Sequence, residues 1–314
     1  MKLLKYIFKR VVGVIPILII ISFVSFGLMN LAPGDPAEAI LTSQGAVVTS
    51  EVLESTRVEM GLDKPFLVQY LNWMKNCLKG DFGISYSTGI SVKEELFKHL
   101  PYTITLTATA MAITILVSIP IGIIAAINKD KFIDYIIRTI SFIGNSIPGF
   151  FLALILLLVF SLKLRWFPIL SESGIKSIIL PSITLAIPMI SKYIRQIRVV
   201  VIEELEKDYV RGARSRGISE AGILYFNVLK NIMITIITLV GLSIGSLMGG
   251  SAVIEAIFVW PGIGSLALNA IFNRDYPVIQ AYILMMGVLF VFCNLVVDIV
   301  QCLVDPRIKR GVAK

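Results

Sequence analysis

The side chains most able to do chemistry are few in this sequence and lie far apart. It contains one histidine, His99, and three cysteines, Cys77, Cys293 and Cys302, without the paired spacing of a metal site or a disulfide framework. A single histidine excludes a zinc motif that needs two, and it argues against a histidine-activated nucleophile. The phosphate-binding pattern GxxxxGK[ST] is absent, so we do not expect the chain to hydrolyse ATP. We therefore predict no enzyme activity, no catalytic residues, no metal and no cofactor.

Two acidic residues lie in apolar runs, where an ionisable side chain is a candidate for a functional site. If the apolar runs cross a membrane with both chain ends in the cytoplasm, Glu255 lies near the outer end of one run, and Asp298, four residues after Asn294, lies towards the cytoplasmic end of another. Water or loop amides can satisfy both acids there, so a functional and a structural role stay open. Because the two acids lie at opposite faces of the membrane, they argue against a catalytic pair. No acid has a clear midplane position, which argues against proton or sodium coupling.

A polar stretch at 203–230, EELEKDYVRGARSRGISEAGILYFNVLK, separates two strongly apolar runs. Gly217 suits the left-handed position that follows the end of a helix. Ser219 can cap the next helix, and Glu220 is favourable in its first turn. The stretch is therefore predicted to form two short helices that meet at Arg216–Ser219.

The second of these helices has an apolar stripe at helical spacing, which is predicted to lie on the rest of the membrane domain. Its members are Ala221, Leu224, Tyr225, Val228 and Leu229. Ile223 and Phe226 then point elsewhere and leave apolar side chains among charges. Two interpretations stay open: a docking surface for another protein, or a helix that rests on anionic headgroups through Arg211, Arg214 and Arg216.

The composition places these elements in a membrane. Of the 314 residues, 56% are hydrophobic and 16% are charged, whereas a soluble domain carries about 25% charged residues. The apolar runs are continuous rather than alternating, which favours helices over a β-barrel. We predict an all-α integral membrane protein with six transmembrane helices. The predicted spans are approximately 11–32, 102–127, 134–161, 178–199, 231–258 and 278–302.

The distribution of Lys and Arg predicts the orientation. The first span is too long for a signal-peptide core, so we predict an uncleaved first helix whose preceding Lys5, Lys9 and Arg10 hold the N-terminus in the cytoplasm. Segments assigned to the cytoplasm hold 19 Lys and Arg, and the longer external segments hold 10. Both termini are therefore predicted to be cytoplasmic. The net charge of +8 follows from this topology, so nucleic acid is not an expected partner.

Three parts of the chain are predicted: an N-terminal membrane helix at 1–32, a polar external insert at 33–101 and a five-helix core at 102–314, which includes the stretch 203–230. Within the insert, a helix from Thr49 is predicted with Thr49 or Ser50 as its cap. A second insert helix has an apolar face formed by Phe66, Tyr70, Trp73, Met74 and Cys77. That face is predicted to pack on the membrane domain, with a surface for an external partner as the alternative.

Small residues and prolines mark further positions within the spans. Gly241, Gly245 and Gly249 recur every four residues, which predicts a close helix contact inside the subunit or with a second membrane subunit. Asn145 and Pro148 lie where a proline can kink the helix or open it beside a passage. We take Asn145, Pro148 and Glu255 as candidates for a passage or gate.

The stretch YVRGARSRGISEAGILYFNVLKN resembles the cytoplasmic signature of bacterial ABC-importer permeases, in the form of the dipeptide, oligopeptide and nickel branch. The general signature is EAA, three residues, Gly, nine residues and I-x-L-P. Ala213, Gly217 and Leu229 are in register with it. The departures are Arg211 for Glu, Gly212 for Ala, Asn227 for Ile and Lys230 for Pro.

Further motifs extend this resemblance over nearly the whole chain. They are NLAPGDP (30–36), MGLDKP (60–65), VQYLNW (68–73), KGDFGISYSTG (79–89), LP (100–101), GGSAVIEAIFVWPGIGSL (249–266) and VDPR (304–307). The resemblance implies a type I ABC-importer-like transmembrane domain in the bacterial inner membrane. The long external insert resembles the first of two paired permeases.

The resemblance also implies partners and a mechanism. A second permease, cytoplasmic ATP-binding subunits, an external solute-binding protein and membrane lipid are expected. The residues implied in coupling to the ATPase are Tyr209, Ala213, Arg216, Gly217, Ser219, Glu220 and Leu229. Peptides or nickel and other metal chelates are the implied solutes. The alternative is a secondary transporter or channel, which would show internal repeats or broken midplane helices; no convincing repeat is visible in the sequence.

Overall fold

The computed structural model describes residues 2–31, 34–43, 45, 47–169 and 174–304, and side chains within these ranges from 12 to 301. The described residues form helices and turns, with one isolated antiparallel bridge between Ile84 and Ser91. The predicted all-α fold is confirmed. The side chains of Lys5, Lys9, Arg10 and Cys302, and most of the closing motif 304–307, lie outside this description.

Thirteen α-helices and two π-helical segments are found in the described residues. The first five are α1 (Lys2–Leu31), α2 (Pro36–Ser43), α3 (Ser50–Glu59), α4 (Phe66–Leu78) and α5 (Val92–Ile127). Next come α6 (Phe132–Ser146), α7 (Gly149–Leu156) with the π-segment Leu157–Lys163, α8 (Ile175–Leu205) and α9 (Asp208–Ser215). The last are α10 (Glu220–Gly222) with the π-segment Ile223–Val228, α11 (Leu229–Ile257), α12 (Ile263–Phe272) and α13 (Tyr276–Val304).

Among the described residues, five helical segments are long and apolar enough to cross a membrane by themselves. They are Val12–Leu31, Val92–Ile127, Ile175–Leu205, Glu220–Ile257 and Tyr276–Gln301. A sixth crossing is possible if α6 and the α7 segment, which meet at an angle of 99°, form one broken span. The six predicted crossings correspond to these elements.

The prediction of one continuous helix over 134–161 is wrong in detail. Ile147 has an extended backbone (φ −79°, ψ 125°), and the following Pro148 is the residue from which α7 begins. Proline fixes its own φ and disfavours the helical region for the residue before it, so the chain leaves the helix at Ile147. This break separates an amphipathic α6 from an apolar α7.

The chain divides into two compact units. Unit 1 contains residues 1–7, 104–260 and 292–314, and unit 2 contains residues 8–103 and 261–291. One apolar cluster of unit 1 includes Leu106, Leu247 and Trp260, and the other includes Tyr193, Ile197 and Ile232. The core of unit 2 includes Val92, Leu96, Tyr276 and Ile279.

The insert helices begin where their capping residues permit. Asp35 precedes α2, its carboxylate accepts a hydrogen bond from the Ala37 amide at 3.0 Å, and Pro36 occupies the first helical position. Thr49 caps α3 through a 3.4 Å bond from the Val52 amide, which confirms the predicted cap. The Arg57 guanidinium of α3 reaches Asp35 at 2.6 Å and so connects α3 to the start of α2.

Helix α4 packs on α1 through aromatic rings. Phe23 and Phe26 of α1 lie 5.2–5.7 Å from the ring centroids of Phe66, Tyr70 and Trp73. The Tyr70 hydroxyl also shares a hydrogen bond of 2.9 Å with the Ser22 hydroxyl. The prediction that this apolar face packs on a membrane helix is confirmed.

Candidate functional site

The turn at 216–219 is a complete helix stop. Gly217 has φ +76° and follows Arg216, the last residue of the α9 end. The Ile218 amide donates to the Ala213 carbonyl at 3.2 Å, and the Gly217 amide donates to the Arg214 carbonyl at 2.9 Å. These two bonds form a Schellman motif, which requires a left-handed residue at Gly217. The predicted glycine stop is confirmed.

The next helix begins as predicted but continues differently. The Ser219 hydroxyl accepts a hydrogen bond from the Gly222 amide at 3.2 Å, which confirms the cap. The chain then runs without a break through the π-segment into α11, so the predicted short second helix is the start of one long helical segment.

The π-segment changes part of the predicted apolar stripe, of which Leu224, Val228 and Leu229 are buried or partly buried as predicted. Ile223, predicted to point away from the membrane domain, is buried instead. Hydrogen bonds of the i to i+5 type bring residues five apart onto one face. Ile223 and Val228 are accordingly fully buried, whereas Tyr225, a member of the predicted stripe, is 66% exposed. Ala221 is also exposed. Phe226 is 79% exposed, in agreement with its predicted outward position.

A rigid base holds α9 in place. Val210 and Ala213, one turn apart on α9, are fully buried together with Ile223 and Val228. They belong to the apolar cluster of unit 1 that also contains Val201 of α8. Ala213 therefore serves packing, and Leu229 is a partly buried neighbour of the same cluster. The exposed surface that remains includes the α9 arginines, the 216–219 turn and the Tyr225–Phe226 pair.

A buried carboxylate joins three helical segments beneath this surface. Glu204, at the end of α8, has a side chain 8% exposed and accepts from the Tyr209 hydroxyl at 2.9 Å and the Asn231 amide at 2.8 Å. Lys207 forms an ion pair with its second oxygen at 2.5 Å. Burial and the hydrogen bond to Glu204 raise the pKa of Tyr209 above its ordinary value, so Tyr209 stays a neutral donor.

Neither Glu204 nor Asn231 was predicted from the sequence. The spacing of Glu204, Lys207 and Tyr209 across a helix end is a usable signal, because residues three to five apart can meet there. Asn231 lies 27 positions after Glu204, and only the fold brings the two together.

A bidentate ion pair closes the exposed side of the turn. The Arg214 guanidinium donates to the two Glu220 oxygens at 2.7 and 3.0 Å. This pair spans the Gly217 turn and joins the end of α9 to α10. Both side chains are solvent-exposed, 44% and 68% respectively, so its energetic contribution is small and its role is to orient the two helices.

Unit 2 contains a cavity of about 870 Å³ that is lined by the insert, α1 and the start of α13. Its wall combines aromatic rings and amides, among them Phe26, Trp73, Tyr86, Asn72, Asn76 and Gln280, with the charged residues Glu59, Lys64 and Asp81. Burial raises the pKa of the Tyr86 hydroxyl. A concave site with several aromatic faces and a few polar groups can hold a small polar solute or a protein side chain.

Asp275 anchors one wall of this cavity. It is fully buried, and its Oδ2 accepts from the Ser85 hydroxyl at 2.5 Å and from the Ser87 hydroxyl and amide at 2.8 and 3.1 Å. The loop 83–91, which contains the Ile84–Ser91 bridge, is thereby attached to the start of α13. Asp275 was not predicted from the sequence, although an acidic residue immediately before Tyr276-Pro277 is a recognisable helix-start signal.

The three predicted packing glycines have different surroundings. A Cβ atom at Gly241 would overlap the methyl groups of Val297 on α13, so this close approach is made within the chain. Gly249 and the adjacent Gly250 are exposed, and a Cβ there would meet no atom within 4 Å. Gly245 is half-buried.

The predicted passage residues lie at the α6–α7 break and on α11, and Gly149, which follows Pro148, lies beside Ile254. Asn145 and Pro148 are exposed at the α6–α7 break. Glu255 is fully buried on α11, where its Oε1 accepts from the Ser251 hydroxyl at 2.9 Å.

Known families match both parts of the chain. Residues 118–310 match the family described as "Binding-protein-dependent transport system inner membrane component", and residues 3–107 match the family of its N-terminal part. The chain belongs to this permease family. It is accordingly a multi-pass component of the bacterial inner membrane and the permease of an ABC importer, a transport subunit rather than an enzyme.

The permease has relatives that align along its whole length. It is 37% identical over 307 residues to the glutathione transport system permease protein GsiC of Escherichia coli (strain K12), covering 98% of this chain and 99% of GsiC. It is 36% identical over 308 residues, with the same coverage, to the metal-staphylopine import system permease protein CntB of Staphylococcus aureus (strain NCTC 8325).

A solved structure shows the same fold. This permease superposes on a chain of the inward-facing methionine ABC transporter MetNI with a TM-score of 0.57 and 15% sequence identity. The match covers 67% of this permease and 96% of the MetNI chain. The type I importer fold expected from the sequence is confirmed.

Proposed function

We propose that this permease forms the translocation pathway of an ATP-driven importer for small peptides or metal chelates. The observation that carries the proposal is the end-to-end similarity, at 36–37% identity, to permeases named for glutathione and for metal-staphylopine. A secondary transporter or channel is disfavoured, because the chain belongs to a family defined by binding-protein-dependent transport.

ATP hydrolysis is assigned to separate cytoplasmic subunits that dock on the coupling segment, 203–230. The support is a surface whose base is buried, at Ala213 and Ile223. Tyr225 and Phe226, which we call the crest, are exposed above this base beside charged residues. Exposed aromatic side chains are frequent anchors of protein interfaces. Arg216, Gly217 and Ser219 form the turn that would insert into a groove on the ATPase subunit.

Tyr209 and Glu220 have positioning roles in this proposal. Tyr209 links α9 to Glu204 at the end of α8, so that a push on α9 is transmitted to a long helix of unit 1. Glu220 holds the turn through Arg214. Leu229 continues the apolar base into α11.

A second permease is assigned to the exposed face of α11. Gly249 and Gly250 present backbone that another helix can approach closely. Gly245 lies one turn earlier on α11, whereas Gly241 is already occupied by Val297. We assign residues 33–101 to the external side, where the cavity of the insert is available to a solute-binding protein. Asn145, Pro148 and Glu255 remain the proposed passage residues.

Transport by the complete complex tests this function. The permease is co-expressed with the partners encoded beside it, and the complex is reconstituted in proteoliposomes with ATP enclosed. Radiolabelled glutathione, other di- to pentapeptides and a ⁶³Ni chelate are offered outside with the binding protein. We expect ATP-dependent accumulation of at least one class. Accumulation driven by a proton or sodium gradient without ATP would contradict the proposal.

A further inference from the structure

A second cavity, of about 680 Å³, lies within unit 1 and is not used by the proposed transport function. It is formed by α6, α8 and the turn before α6, and we call it the α6–α8 cavity. Its lining combines the guanidinium groups of Arg138, Arg195 and Arg198 with the rings and methyl groups of Tyr135, Phe142 and Val199. On each helix these residues recur three and four apart, so that a single stripe of each helix faces the cavity.

The base of the cavity is a neutralised ion pair. Arg198 donates to both oxygens of the fully buried Asp134, at 2.6 Å each, and the Asp130 amide donates to Asp134 at 3.0 Å. This geometry fixes α6 against α8. Because Asp134 already has these donors, the pair serves as a rigid floor for any ligand above it.

The cations at the rim are available to a ligand. Within the part of the chain that the structure describes, neither Arg138 nor Arg195 has a carboxylate oxygen within 4.0 Å. Lys129 is paired with Glu206 at 3.1 Å, but both side chains are about half exposed or more, so that bond is easily exchanged. Two unpaired guanidinium groups therefore face one cavity.

The position of Arg138 suits an oxyanion. Its guanidinium carbon lies 5.6 Å from the centroid of the Tyr135 ring, which leaves its N–H groups free to donate. Guanidinium groups bind phosphate oxygens in a bidentate manner. The Thr139 hydroxyl, next to Arg138, is a further donor to the same cavity.

The apolar part of the lining distinguishes the source of the phosphate. Tyr135, Phe142 and Val199 are 54%, 66% and 48% exposed. A soluble anion would cover none of this surface, whereas a phospholipid carries its phosphate next to acyl chains. Because the chain is an inner membrane protein, such lipids surround it.

We propose that the α6–α8 cavity binds the phosphate headgroup of an anionic phospholipid, and that Arg138 and Arg195 donate hydrogen bonds to the phosphate oxygens. The acyl chains lie against the exposed apolar side chains of α6. The lipid joins α6 to α8 about two helical turns before Glu204, the residue that holds the coupling segment.

Lipid retention by the complete importer tests the proposal. The complex is purified from nanodiscs with equal amounts of phosphatidylglycerol and phosphatidylcholine, and retained lipid is quantified by native mass spectrometry. We expect wild-type protein to retain phosphatidylglycerol preferentially. Arg138→Gln with Arg195→Gln should reduce that retention about tenfold, because each basic residue near a lipid surface contributes appreciably to anionic lipid binding.

The matched control removes two positive charges elsewhere in unit 1. Lys163→Gln with Lys176→Gln should retain phosphatidylglycerol as wild type does. Inorganic phosphate at millimolar concentration serves as the soluble probe and should leave the retained lipid unchanged. A headgroup-proximal diazirine on phosphatidylglycerol should label the wild-type complex within 129–142 or 195–199, and this measurement needs no variant.

Three results overturn the proposal. They are equal retention by the Arg138→Gln, Arg195→Gln protein and wild type, displacement of the lipid by inorganic phosphate, and absence of diazirine adducts from both peptides. Displacement by phosphate assigns the cavity to a soluble anion instead. Uptake plays no part in these readouts, so they are independent of the proposed transport function.

Discussion

Gly217 is the residue on which the shape of the coupling segment depends. Its φ of +76° is strained for any residue with a Cβ, by about 1–2 kcal/mol and more for a β-branched one. Gly212, five residues earlier in α9, has ordinary helical backbone. A Cβ atom added at either glycine would meet no other atom within 4 Å. The two positions therefore differ in backbone conformation rather than in space.

This difference gives a matched pair of variants. Gly217→Val should lower ATP-driven uptake by the reconstituted complex at least severalfold, because the Schellman turn cannot form without strain. It should also reduce the ATPase activity that the binding protein stimulates. Gly212→Val should behave nearly as wild type in both assays. Equal activity of the two variants would remove the turn from the coupling mechanism.

Cys77 provides a test of packing in the insert. Burial raises the pKa of its thiol to about 12, so that only about one thiol in ten thousand is ionised at pH 8. In protein carrying Cys293→Ala and Cys302→Ala, maleimide should label Cys77 slowly at pH 8. Rapid labelling should follow denaturation in sodium dodecyl sulfate. Fast labelling of the folded protein would mean that α4 does not pack as described.

At the scale of single residues the sequence was informative wherever local chemistry decides conformation. Gly217, Ser219 and Thr49 have the roles that their types predict, since a helix end involves only residues a few positions apart. Glu204 and Asn231 could not be paired from sequence, because their contact depends on how α8 and α11 pack.

Among the elements, α11 combines an internal contact with an exposed one. Gly241→Ala should lower the melting temperature of the permease, because the added methyl overlaps Val297, and overpacking costs about 1–3 kcal/mol. Gly249→Leu should leave that temperature unchanged and should reduce the amount of second permease recovered in a tagged pull-down. Thermal unfolding in detergent and the pull-down band ratio measure the two effects. Full recovery with Gly249→Leu would place the partner on another face.

The loop 83–91 is an element that depends on one distant side chain. Asp275→Ala removes the acceptor of three hydrogen bonds, and bonds to a charged group contribute about 1.5–3 kcal/mol each. Limited proteolysis should therefore cleave this loop about tenfold faster. Asp63→Ala, at an exposed aspartate of the same unit, is the control and should not change the rate. Unchanged cleavage in Asp275→Ala would show that other contacts hold the loop.

The elements also show where sequence patterns stop being informative. The spans were located by hydrophobicity, but the break at Ile147 and the π-segment Ile223–Val228 changed their detail. A stripe drawn at a period of 3.6 residues placed Tyr225 inside and Ile223 outside, and the π-helical hydrogen bonds reverse this assignment. The residue types alone do not indicate a change from i+4 to i+5 backbone hydrogen bonds.

For the whole molecule, composition and the signature residues established the class, and the family and the type I fold are confirmed. Two cavities could not be predicted, because each collects residues that are far apart in sequence: Trp73 with Gln280 in unit 2, and Arg138 with Arg195 in unit 1. The fold class could therefore be predicted from the sequence, whereas the two cavities could be found only from the structure.

The central claim is that the crest formed by Tyr225 and Phe226 docks on the ATPase. It is tested most directly by photocrosslinking, with benzoylphenylalanine incorporated in place of Phe226 or of Phe272 in the complete complex. The two side chains are equally accessible, 79% and 82% exposed, and Phe272 lies in α12, on the side assigned to the exterior. We predict an adduct with the ATPase from position 226 and none from position 272. Absence of the adduct at 226, or equal adducts at both positions, would contradict the account.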